Sequence, residues 1–317
     1  MKGIHTVTGI QPSQSIRFCH CHEHLMLSRG QSYEVNHSLW IEDFDKSREE
    51  LQAFRSAGGT TVVEAQPVGC NRMAEALCRL SEETGVAVIS STGFHKMLFY
   101  PASHWIFSAY ETWLQELFER ELTEGLFTDG DSGLPERQIR SRAGIIKCAL
   151  DVPGLEHQYR KLFAAAVKAR EKTGAPIMVH IEPGSDPLEL VRFLEAAETD
   201  LSKIYFCHMD RACPDIAVHK AVCEKGISVE YDTIGRFKYH SDEAEADLIC
   251  EMIGSGYEDR ILLSLDTTRD RLKAYNADGV GLCYILHTFL PLLRERGVGE
   301  EILKKLYCTN PGRILCY

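Results

Sequence analysis

Long apolar runs are missing from this sequence. The longest, 279–293, is too short for a confident membrane span and carries His287 in its middle. The opening MKGIHTVTGIQ lacks the apolar core of an export signal. Basic charge is also scarce: 35 lysines and arginines against 46 acidic residues leave a formal net charge of −11. That balance argues against a general nucleic-acid binder, which would present a basic face. It still permits a local basic cluster able to receive an anionic small molecule. No CxxC pair offers a zinc knuckle or redox couple, and 12 cysteines among 317 residues do not make a small disulfide scaffold. With no export signal, reduced thiols and a cytoplasmic location are expected. No low-complexity linker divides the chain, so residues 1–317 are expected to form a single domain.

What is present is a repeating alternation. Short apolar, β-branched segments at 16–24, 60–65, 86–92, 143–149, 176–180, 203–208, 227–231 and 261–266 read as strands. Amphipathic or capped segments at 74–83, 158–173, 187–198, 214–225, 241–255 and 280–296 read as helices. Strands alternating with helices imply βαβ units and a parallel sheet, and eight in one series favour an α/β fold closed as a (β/α)8 TIM barrel. Segment 93–105, rich in aromatics and without periodicity, reads as a functional loop, and 125–140 as a surface connection. Strict alternation along the first strand would put Cys19 and Cys21 on one face and His20, His22 and His24 on the other.

The polar residues that end these strands carry the chemistry. His22 and His24 lie on the first strand and Lys147 on the fourth, and His180, His208 and Asp266 end the fifth, sixth and eighth. A barrel enzyme places its site at those C-terminal strand ends. Imidazoles with a carboxylate suit zinc and other divalent transition metals. Any one of these residues alone would be an ordinary satisfied polar side chain, and only the joint pattern points to metal.

The sequence resembles the phosphotriesterase-like, lactonase-containing branch of the amidohydrolase superfamily. The matching pieces are CHEH around His22 and His24, RAGIIK ending in Lys147, MVHIEPG around His180, IYFCHMD around His208, LLSLD ending in Asp266, and the closing TNPGRIL. They span almost the whole chain in the family's order. The resemblance implies that His22, His24 and Asp266 hold one divalent ion and that His180 and His208 hold another. Lys147, carbamylated by carbon dioxide, would bridge the two. Zinc heads the candidate metals, with manganese, cobalt and iron also compatible with these donors. A free ammonium between two cations would be repelled, whereas a carbamate is an anionic oxygen ligand. Water held between the ions would attack the substrate, and Asp266 would accept its proton and return it to the leaving group. The resemblance also implies a homodimer.

Substrate selection in such barrels lies in the strand-to-helix loops. These loops carry Lys96 and Tyr100, Arg236, and Arg269, Arg271, Lys273 and Tyr275. Cations on three loops suit a phosphate or carboxylate better than a bulky neutral ester. The favoured expectation is a lactonase for a small, anionic sugar lactone. A phosphoester, phosphotriester or amide hydrolase using the same centre is an alternative, and a noncatalytic binding barrel is another of a different class. In EAQPVGCNRM the Gly-x-x-Arg pattern matches relatives, but Cys70 and Asn71 have no assignable role at this level.

Overall fold

A computed structural model of the protein describes residues 2–317. A small antiparallel hairpin, β1 (Ile4–Thr6) with β2 (Gly9–Gln11), precedes eight parallel strands. These are β3 (Cys19–Glu23), β4 (Thr61–Glu64), β5 (Ala87–Gly93), β6 (Ala143–Leu150), β7 (Ile177–Ile181), β8 (Ile204–Cys207), β9 (Ser228–Tyr231) and β10 (Ile261–Leu263). They pair in chain order from β3 to β10, with helices between them, which gives the expected (β/α)8 barrel in nearly closed form. The closing seam between β10 and β3 relies on side chains. Ser264 Oγ accepts from the His22 amide at 2.7 Å, and Glu23 Oε1 accepts from the Leu265 amide at 2.9 Å. One backbone bond joins them, from Asp266 N to the His22 carbonyl at 3.2 Å.

Local signals explain the helix ends. Asp43, Asp186, Asp215 and Ser241 each turn a side-chain oxygen onto a first-turn amide, as N-caps do. Gly85 and Gly174 close two helices in the left-handed region, at φ 67° and 79°. Helices Phe44–Ser56 and Glu111–Thr123 were not among the sequence expectations, and segment 280–296 becomes helical only from Ile285. No described helix is long and apolar enough to cross a membrane.

Two hydrophobic layers fill the molecule. Inside the barrel lie Cys19, Cys21, Val63, Ile89, Ile145, Met178, Tyr205, Cys207 and Leu262, floored by Ile4, Ile314 and Leu315. Outside the sheet a larger cluster packs the opposite strand faces against the helices. One expectation fails here. Between the pairs His20↔Val62 and Glu23↔Glu64, β3 spends three steps against two on β4, the signature of a bulge. Cys21 and His22 therefore both face the barrel interior, while His20 faces the helical layer. The His20 ring packs against Phe18 and Phe54, and its Nε2 lies 2.9 Å from the Leu282 carbonyl. The bulge turns His22 toward the C-terminal rim of the barrel without surrendering Cys21 from the core.

Candidate metal centre

Five of the six expected ligands sit at or just beyond strand ends, and Lys147 lies within β6 with its side chain fully buried in the barrel. Gly93, at the end of β5, lets the neighbouring backbone come close: a Cβ there would stand 2.0 Å from the Lys147 carbonyl oxygen, and its φ is +102°. His208, directly after β8, and Asp266, three residues after β10, take left-handed backbone, φ 62° and 47°. Such conformations are costly for non-glycine residues and concentrate where a side chain must be re-aimed.

The side chains converge. His22 and His24 Nε2 lie 3.7 and 3.5 Å from Asp266 Oδ1, and Lys147 Nζ lies 3.4 Å from His22 Nε2. The His208 ring stands 4.7 Å from His22 and 4.4 Å from His180, centroid to centroid. Carboxylates back the imidazoles. His208 Nδ1 is 2.7 Å from Asp232 Oδ1, and the Asp232 and Glu64 carboxylates stand 3.6 Å from Nδ1 of His22 and His24. Glu64 is itself fixed by the amides of Leu25 and Gln66. Carboxylates placed behind histidines in this way set ring orientation and raise the basicity of the outward nitrogen.

Electrostatics match the donor geometry. Burial, then the Lys147 charge, pushes His22 and His180 well below the ordinary histidine value, and burial with the Arg211 charge does the same to His208. They are neutral imidazoles, the form that binds metal. Burial also opposes charge on His24, but hydrogen bonds with Asp266 and Glu64 outweigh it and raise its pKa to about 9. Asp266 is buried too, yet the Arg236 guanidinium and the two histidines hold its carboxyl well below the usual range. Three neutral histidines, a fourth (His24) facing the Asp266 and Glu64 carboxylates, an ionised aspartate and a buried lysine without a carboxylate partner among the described residues fit a divalent metal pair.

Beneath His22 lies Glu230, fully buried, with both carboxyl oxygens lacking a hydrogen-bond partner among the described residues. Burial raises its pKa from 4.5 to about 8, against the opposing pull of Cys207 and Lys147. The folded protein thus keeps this proton up to about pH 8, whereas the unfolded chain releases it near 4.5. Unfolding loses a proton across that window, so this group makes stability fall as pH rises through it. Glu230→Gln should flatten the fall. Melting temperatures taken from about pH 5 to 9 test it, and parallel curves for the two proteins would refute it.

The expected substrate residues divide. Lys96 and Arg236 line a cavity of about 180 Å³ over the centre, together with Lys238, Tyr239, Arg211, His95 and Glu182. Lys96 Nζ is 2.8 Å from Glu182 Oε2, and Arg236 Nη1 donates to Asp266 Oδ2 at 2.6 Å. The rest lie outside that lining. Tyr100 accepts the His95 amide with its hydroxyl, and Arg271 donates to the carbonyls of Ile234, Gly235 and Leu265. Arg269 stacks on Trp40 in a neighbouring cleft shared with Tyr275, whose hydroxyl donates to the Asp43 carbonyl. Lys273 borders a third depression beside Glu49 and Asp278. Glu182 and Arg211 were missed. Glu182, two residues after His180, shares its strand face by alternation, and Arg211 follows His208 by three residues, so both were legible.

A parallel barrel whose C-terminal rim gathers four histidines, a lysine and an aspartate has the architecture of a metal-dependent hydrolase. Residues 2–315 match the Phosphotriesterase family, and the chain belongs to it. It is 27% identical to the phospho-furanose lactonase of Mycoplasmopsis synoviae (strain 53), covering 98% of this chain and 91% of that one. It is 29% identical to the N-acetyltaurine hydrolase of Danio rerio, covering 99% and 98%. Among solved structures, a lactonase from Listeria monocytogenes superposes with a TM-score of 0.89 at 27% identity, covering 99% and 98%. The protein is a hydrolase acting on a small molecule, and its family implies a centre of two divalent metals.

Proposed function

We propose that this chain opens a small anionic sugar lactone, with a phosphorylated furanose lactone as the leading candidate. The observation that supports it most is the convergence of His22, His24, Asp266, Lys147, His180 and His208 at one rim. His22, His24 and Asp266 would hold one ion, His180 and His208 the second, and Lys147, as its carbamate, would bridge them. Zinc suits these donors best, and manganese, cobalt or iron could replace it. When bound, such a pair polarises the attacked carbonyl and makes water nucleophilic near neutral pH. Asp266 Oδ1 faces both imidazoles and would take a proton and return it to the leaving oxygen. Arg236 on Oδ2 keeps that carboxylate oriented. The small polar cavity supports a compact, charged substrate over a bulky neutral phosphotriester.

Amide hydrolysis is the second reading, favoured by the relatives named for N-acetyltaurine. The two substrate names share an acidic group, phosphate in one and sulfonate in the other, beside a carbonyl carbon open to attack. A chelated and a metal-reconstituted sample, each offered a phosphorylated furanose lactone, N-acetyltaurine and a neutral phosphotriester, separate these readings. We expect about two divalent ions per chain in the active sample, loss of activity on chelation, and fastest turnover of the phosphorylated lactone. Fully loaded, folded protein that hydrolyses the phosphotriester best would overturn the proposal.

A further inference from the structure

Of the cations at the cavity mouth, Lys238 is exposed to water and has no ion pair among the described residues, and three others are spent. Lys96 is paired with Glu182, Arg236 with Asp266, and Arg271 with three backbone carbonyls. Arg211 differs. It lies on the short turn Met209–Ala212 directly after His208 and lines the same cavity as His180, His208 and Asp266. Among the described residues no carboxylate comes within ion-pair distance of its guanidinium, and its Nε is buried without a hydrogen-bond partner. Its neighbour Asp210 is otherwise engaged, accepting from the Arg211 amide and from the amide and hydroxyl of Thr233. The guanidinium rests 5.3 Å from the Tyr239 ring centre, which fixes its position without giving it an acceptor.

We infer that Arg211 is the specificity-determining residue of this site, its guanidinium taking the oxyanion group that the substrate carries beside the bond to be cleaved. The inference rests on the proposed hydrolase reading and deepens it. A guanidinium whose Nε is buried without an acceptor among the described residues is held at a cost, and an oxyanion that supplies acceptors recovers it. Its planar fork of five N–H donors matches a phosphate, sulfonate or carboxylate, which a point-charge ammonium does not. Burial opposes the charge, but the Asp266 and Asp232 carboxylates outweigh it and keep the group cationic. The position follows from the chain: the turn that carries Arg211 starts at the left-handed His208, so the anion hook and a metal donor are set by one piece of backbone.

Arg211→Met keeps the length of the stem and removes both charge and donors, and Arg211→Lys keeps the charge alone. For the metal-loaded wild type and both variants, kcat and KM are measured on a phosphorylated furanose lactone, on N-acetyltaurine and on a neutral five-membered lactone. Calorimetry follows binding of the ring-opened, phosphorylated aldonate. In Arg211→Met the preference for an anionic over the neutral substrate should fall by about 10- to 100-fold, mostly through KM, with Arg211→Lys intermediate. The phosphate and sulfonate arms tell which oxyanion is native. An unchanged preference, or equal losses on charged and neutral substrates, overturns the inference. Should the wild type hydrolyse none of the three, the proposed activity fails while calorimetry still reads Arg211. Aldonate binding that survives Arg211→Met, or no binding to the wild type at all, then overturns it.

Discussion

Replacing Asp266 by asparagine is expected to lower kcat by about a thousandfold while the fold survives. Asparagine matches the shape of aspartate and tolerates the left-handed φ of 47° found here. What it removes is the negative charge that Arg236, His22 and His24 hold in place. On the proposed reading the site would then lose an anionic donor toward the metal and the group that would carry a proton to the leaving oxygen. Because the carboxyl is held well below the usual range, the wild-type group is ionised throughout the neutral region. Raising the pH therefore should not rescue the variant. Metal content measured beside kcat separates the two roles: loss of activity with metal retained points to proton transfer, and loss of both points to ligation. Activity within tenfold of wild type would remove Asp266 from the mechanism.

The barrel was legible because its evidence is local. Most strands are short apolar runs, and caps such as Asp186, Asp215 and Ser241 announce the helices that follow. The six candidate ligands were legible because strand ends in a parallel barrel all reach one rim, so order along the chain becomes proximity in space. Three kinds of feature escaped. The bulge in β3 depends on its register against β4, and no feature of CHCHE itself reveals the extra step. The left-handed turns at His208 and Asp266 are imposed by tertiary contacts, since neither residue demands that conformation. The fates of the loop cations were hidden because their partners lie far along the chain. Lys96 finds Glu182 across 86 residues, and Arg271 is consumed by carbonyls that carry no sequence signature. A cation count at the mouth therefore overstated the free positive charge and overlooked Arg211.

Long-range pairing also gives GCNRM its meaning and supports the largest stability effect expected away from the centre. Asn71 takes left-handed backbone, φ 69°, caps the Ser32 amide with Oδ1 at 3.0 Å and donates its own amide to Asp131. Arg72 is buried and donates to the Ser91 carbonyl on β5, to Glu121 Oε1 at 2.6 Å and to the Phe127 carbonyl at 2.8 Å. Glu121 in turn accepts the Phe127 amide at 2.8 Å. A buried pair in which only Arg72 Nε lacks a partner among the described residues adds little over a good apolar packing, but removing one member strands the other charge in the interior. Glu121→Leu should therefore cost about 3–5 kcal/mol, lowering the melting temperature by about 10 °C. Arg72→Met should cost a similar amount, by leaving the carboxylate alone. The double variant Arg72→Met, Glu121→Leu should cost clearly less than the two single losses added together, because neither charge remains to be stranded. Denaturant unfolding of all four proteins checks this. Strictly additive losses would mean that the two side chains stabilise the fold through separate contacts with Ser91 and Phe127, and not as an ion pair.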